Sequence, residues 1–182
     1  MKFRYFLQMM AVALGLGVAS TGAVYAQASD AAAGAAKLSP ADQQFVQDAS
    51  QADATEIAAA KIALRNSSDP HVKTFAQQMI IDHTKLSRSM DALAARKGLG
   101  AAPAADSALV GKLQTLKGQA FDQAYVEQVA LEGHQKAVDL FQKESESGTD
   151  AQLKAAAMHA LPTIKHHLAM AQQLAGAMKG SS

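Results

Sequence analysis

DPHVKTFAQQMIIDHTKLSRSMDALAARKGLG, residues 69–100, reads as one long helix. Its large apolar residues Val72, Phe75, Met79, Leu86 and Leu93 fall three, four or seven apart, the spacing that lines one helix face. Asp69 is placed to accept the first free backbone N–H groups, Pro70 suits the first helical position, and Gly98 and Gly100 stop the helix. The same punctuation stands upstream. Ser39-Pro40-Ala41-Asp42 opens a helix that runs to about Arg65, and Asn66-Ser67-Ser68 breaks it. Two long helices joined by so short a turn pack as antiparallel neighbours.

Downstream, residues 99–104, Gly, Ala and Pro after Leu99, read as a loop, and Ser107 to Lys117 reads as a short helix stopped by Gly118. A third long helix follows from about Gln119 to Ser145, ended by Ser147-Gly148. Thr149 and Asp150 open a fourth that runs to about Met178, with Pro162 inside it, where the ring removes a backbone hydrogen bond and is expected to bend the helix. No strand-like alternation appears. The expected fold is an all-α, ferritin-like four-helix bundle over residues 39–179, with a short extra helix in the connection between the second and third long helices. That connection is long enough to run the length of a ~40 Å bundle, given ~1.5 Å per helical and ~3.3 Å per extended residue. A ferritin-type crossover is the preferred topology over a simple up-down return.

The start of the chain has a different character. Lys2 and Arg4 precede an apolar run from Phe6 to Ala19, and small residues follow through Ala26 and Ala28. Residues 1–26 therefore read as a secretory signal peptide, and residues 27–38, rich in Ala, Ser and Gly, as a flexible leader. The apolar run falls short of the ~20 residues a membrane span needs. Removing Lys2 and Arg4 leaves 15 basic residues against 16 acidic ones, a formal charge of −1. A near-neutral chain argues against nucleic acid as a partner, since such binding neutralises several phosphates at once. The chain has no cysteine, which excludes disulfides, thiol catalysis and covalent haem attachment. The expected location is the periplasm or outside the cell. Partners are not specified, and a homo-oligomer is one option.

Several polar residues stand on or beside the apolar stripes. Glu56 shares a seam with Phe45, Ala49, Ala52, Ala59 and Ala63. Asp82 falls on the second-helix stripe with His83 beside it, Glu127 and His134 fall on the third, and His167 falls on the fourth. His166 is one position round, and His71 and His159 sit off the stripes as solvent histidines. At ~1.5 Å per residue, Glu56 and His83 lie roughly 15 and 21 Å from their shared turn, and His134 and His167 roughly 21 and 26 Å from theirs. All four reach mid-bundle. One carboxylate and three imidazoles at one level form a candidate cage for a single zinc, copper or iron ion, with Asp82 and Tyr125 as supporting candidates. The alternative is a buried polar network without metal that fixes helix register.

Phe75-Ala76-Gln77-Gln78-Met79-Ile80-Ile81-Asp82-His83-Thr84-Lys85 resembles the second-helix signature of an exported bacterial family, number 4142 of the domain-of-unknown-function series, ferritin-like and often labelled predicted outer-membrane protein. Phe121-Asp122-Gln123-Ala124-Tyr125, His134 followed by Ala137-Val138, and Leu161-Pro162 followed by His167-Leu168 resemble its later blocks. The resemblance covers about residues 40–175. The chain departs from ferritin-like di-iron proteins, which carry Glu-x-x-His on two helices. Here His83, His134 and His167 are preceded three residues back by Ile80, Leu131 and Ile164. An oxygen-activating di-iron centre is therefore not expected.

Three functions follow as expectations. One is an exported binding or stress-related module holding an ion or small ligand at mid-bundle. Another is a metal-dependent oxidase-like enzyme with Tyr125 as redox or proton partner, against which the missing carboxylates weigh. The third is a purely structural interaction protein of the cell envelope, against which the matched heights of the polar residues weigh.

Overall fold

The computed structural model describes residues 37–180, and the signal-peptide reading lies outside them. All regular structure among the described residues is helical. Helix α1 spans Pro40–Asn66 and α2 spans Pro70–Arg96. The caps form as the sequence predicts: Ser39 Oγ accepts from Asp42 N at 3.1 Å, and Asp69 Oδ1 accepts from His71 N and Val72 N at 2.7 and 3.3 Å. Gly98, at φ +70°, closes α2 in the left-handed conformation, and Leu99 N returns to Ala94 O at 3.0 Å. Helix α3 spans Ser107–Thr115. The third long helix is composite: α4 over Gly118–Ala124, a π-helical stretch over Tyr125–Leu131, and α5 over Glu132–Ser147. Helix α6 spans Ala151–Gly180 and continues through Pro162. No helix among the described residues is long and apolar enough to cross a membrane.

The connection after α2 is a crossover. It leaves from one end of the bundle, where Lys97 Nζ pairs with Asp150 Oδ2 at 2.6 Å beside the α5–α6 turn. It passes the middle of α1, where Asp106 N donates to Thr55 Oγ1 at 2.9 Å. It arrives at the other end, where Asn66 Nδ2 donates to Leu116 O at 2.9 Å and Lys117 Nζ pairs with Asn66 Oδ1. The third long helix consequently runs antiparallel to α1, with the Phe45 and Phe141 rings 5.1 Å apart near the opposite end.

The interior has two apolar clusters. One gathers Phe75, Met79, Phe121, Tyr125 and their neighbours, and the other gathers Phe45, Phe141, Leu153, Ile164 and theirs. Leu38, just ahead of α1, is buried in the second. Between the two lies a layer of buried polar groups: Asp53, Glu56, His83, His134 and His167.

Two expected faces are rotated. On α2 it is His83 that is buried with Met79 and Met90, while Asp82 sits at the stripe's edge. The line from Met79 continues one turn on to residue 83, about 100° round from 82. On the third helix Glu127 is exposed, although it lies seven residues before the buried His134. The π-helical stretch accommodates one extra residue between them, so the buried line steps back from His134 through Ala130 to Val126, and Glu127 turns outward.

Candidate metal centre

His83 of α2, His134 of α5 and His167 of α6 meet in the polar layer, one ligating atom of each lying within 4.8 Å of the others. The three side chains are essentially buried, at 3%, 1% and 0% exposure. His83 Nε2 and His134 Nε2 are 3.4 Å apart. Two imidazole nitrogens bound to one ion at ~2.0–2.1 Å sit ~3.3–3.5 Å from each other, so this pair already has the separation a shared ion requires.

Each ring is backed by a carboxylate. His83 Nδ1 donates to Asp53 Oδ1 at 2.7 Å, and His167 Nε2 donates to Asp82 Oδ2 at 3.1 Å. Glu56 Oε1 lies 3.5 Å from His134 Nδ1. The two hydrogen-bonded carboxylates, Asp53 and Asp82, fix their rings and tautomers and make the opposite nitrogen a better ligand. The nitrogens left for an ion are then Nε2 of His83, Nε2 of His134 and Nδ1 of His167; the last has no hydrogen-bond partner. Gln78 and Lys85 in turn hold Asp82, at 2.5 and 3.5 Å.

The protonation balance follows from burial and from these pairs. Burial, reinforced by the neighbouring His83 and His167, holds His134 down to about 3, so its ring is neutral. Burial also lowers His167, against the pull of Asp82. For His83 burial works the same way, but the Asp53 hydrogen bond and the Glu56, Asp53 and Asp82 charges outweigh it and raise the pKa. Burial pushes Glu56 up to about 7 and raises Asp53. Burial thus favours the neutral, ligating form at His134 and His167, while the carboxylates around His83 favour its protonated form, with which an ion would compete.

The sequence expectation placed Glu56 with the three histidines as a ligand. In the structure its Oε1 lies 3.5 Å from His134 Nδ1, and its Oε2 is buried and unpartnered. Asp82, the expected supporting residue, accepts from His167 Nε2 at 3.1 Å. Tyr125 is fully buried one ring away, with Phe75 lying between it and His134 at centroid distances of 6.3 and 6.2 Å. Burial, then the Glu56 charge, raise the Tyr125 hydroxyl well above its usual value. Asp53 was missed. It stands three residues before Glu56 and seven before Ala60, so the same helical periodicity carries it, but Ala52 was read as the stripe position. In the structure Ala52 is half-buried and Asp53 buried.

A cleft of about 440 Å³ reaches the layer from the side, between α1 and α5. Asp53, Glu56, His83 and His134 line it, while Asp106 and Leu109 of the crossover border it.

Solved structures share this fold. A DUF305 fragment from Deinococcus radiodurans is 21% identical, covering 78% of this chain and 97% of that one at a TM-score of 0.63. A DUF305 protein from Streptomyces coelicolor is 19% identical, covering 76% and 92% at 0.66. CopM in its Cu(I)-bound form is 21% identical, covering 72% and 93% at 0.62. At such identities the likeness speaks for the fold alone. No curated protein sequence matches the chain. Residues 27–174 match the model of DUF4142, a domain of unknown function, and the chain belongs to that family.

Proposed function

We propose that the protein is an exported module that binds one transition-metal ion, copper before zinc or iron, at His83, His134 and His167. The observation that carries this reading is the convergence of three buried imidazoles from three helices within 4.8 Å. Packing three imidazoles together in a dry layer costs free energy unless something satisfies their free nitrogens. An all-nitrogen set suits copper, zinc and iron and disfavours calcium and magnesium, which take oxygen. Copper comes first because CopM, a protein of the same fold, has been solved with Cu(I) and with Cu(II) bound. The set offers no Glu-x-x-His pair, which argues for holding an ion rather than for oxygen activation by two.

The test is a thermal melt against free copper, zinc and ferrous iron. Ion at one hundred times its dissociation constant adds about 2.7 kcal/mol, which raises Tm by roughly 5–10 °C in a domain of this size. His134→Ala and His167→Ala should abolish the shift. A wild-type melt that ignores every metal, or variants that respond as wild type does, would leave a buried polar network and defeat the reading. Export rests on the character of residues 1–26 and is checked separately. Mass spectrometry of protein recovered outside the cytoplasm should find an N-terminus at Gln27 or Ser29; an intact Met1 would overturn it.

A further inference from the structure

The three histidines are buried, and an ion reaches them only through an opening in the bundle. The cleft between α1 and α5 leads to His83 and His134, but neither His167 nor Asp82 lines it. Four of its lining residues are acidic, Asp48, Asp53, Glu56 and Asp106, against one lysine, Lys136. A cleft lined mainly with one sign of charge concentrates the opposite ion.

Glu56 gives the cleft chemistry as well as charge. It is only 6% exposed, it lines the cleft, and its Oε2 has no hydrogen-bond partner. A buried carboxylate oxygen without a partner is costly, and it marks a place where a ligand completes the structure. Space has been kept for it. Gly133 stands inside α5, where glycine weakens a helix, and a Cβ there would come within 2.9 Å of Glu56 Oε1.

We propose that this cleft is the entry route for the metal ion and that Glu56, with Asp53, is an oxygen-donor station that captures the hydrated divalent cation before it passes to the histidines. The proposal rests on the metal-binding reading above. Carboxylates hold a hydrated divalent ion loosely, whereas imidazole holds copper or zinc more tightly, so the two sets in series draw the ion inward.

The test is stopped-flow uptake of Cu(II) by the full-length mature protein, followed by the copper–imidazole absorption, with equilibrium copper content measured in parallel. Glu56→Gln should slow uptake at least tenfold, and Glu56→Asp should restore part of the rate. Ala52→Phe, which adds bulk to the cleft lining and replaces no histidine, should also slow uptake while final occupancy stays that of wild type. Added salt should slow wild type more than Glu56→Gln. Wild-type uptake rates in both Glu56→Gln and Ala52→Phe overturn the route. So does a Glu56→Gln protein that loses copper only through faster release, because Glu56 would then merely orient His134. If wild type takes up no copper or zinc at all, it is the metal-binding reading that fails; if wild type binds and the variants match its rate, only the route fails.

Discussion

Two of the places where the bundle buries charge, the end beside the α5–α6 turn and the middle, are built differently. At the end, Asp42 accepts from Thr149 N and Thr149 Oγ1 at 3.0 and 2.5 Å, Asp150 caps α6 through Gln152 N and Leu153 N, and Lys97 pairs with Asp150. Each of these contacts joins a loop to a helix terminus, where backbone N–H groups need acceptors in any case. In the middle the buried groups stand within the long helices. Asp53, Glu56, His83, His134 and His167 cap nothing, and Glu56 Oε2, His134 Nδ1 and His167 Nδ1 lack partners. Polar groups that close loops explain themselves by architecture. A polar layer that interrupts two apolar clusters, with atoms left over, calls for a ligand. Glu144 is the exception at the end: its Oε1 is also unpartnered, beside Asp42.

The comparison breaks most sharply at Asp53. Asp53→Ala leaves His83 buried without its counter-charge, and severing a buried pair costs about 3–5 kcal/mol. Metal-free Asp53→Ala should show that loss in a denaturant titration. A loss under about 1 kcal/mol would mean the middle layer is as tolerant as a surface pair.

A smaller effect tests the end cluster. Burial, then the Asp42 charge and hydrogen bond, push Glu144 up to about 7 from its ordinary 4.5. Its folded state keeps a proton that the unfolded chain has released between those values, so its contribution to stability is complete below 4.5 and is lost as pH rises through about 7. Glu144→Gln should therefore melt a few degrees above wild type at pH 8 and level with it at pH 4.5. Equal melting at both pH values would show that Glu144 is not strained by its neighbours.

The smallest expected change is at Gly133. Alanine gains about 1 kcal/mol of helix propensity there, offset by pushing the flexible end of Glu56 aside. Gly133→Ala should move the metal-free Tm by no more than about 2 °C. A larger fall would mean that Glu56 is held rigidly behind His134.

Helix boundaries were legible because they are local. Ser39-Pro40, Asp69-Pro70 and Gly98 act on backbone groups a few residues away, and the structure uses them as read. The inward histidines were legible too, since His134 and His167 recur on their helices' apolar periods and the heights follow from a constant rise. Residues on a period that the tertiary structure altered were not. A π-helical turn adds one residue per turn locally, and the sequence from Tyr125 to Leu131 carries no Gly or Pro to announce it.

By itself, then, the sequence determined four long helices, their caps and a ring of histidines at one level, because capping and periodicity are short-range. Only the tertiary structure decided that the connection crosses over, that Asp53 and not Ala52 turns inward, and that Glu56 comes to lie beside His134 Nδ1. Those outcomes depend on how far each helix rotates against its neighbours. A rotation of one residue, about 100°, exchanges a buried side chain for its neighbour, and it is set by packing from all four helices at once.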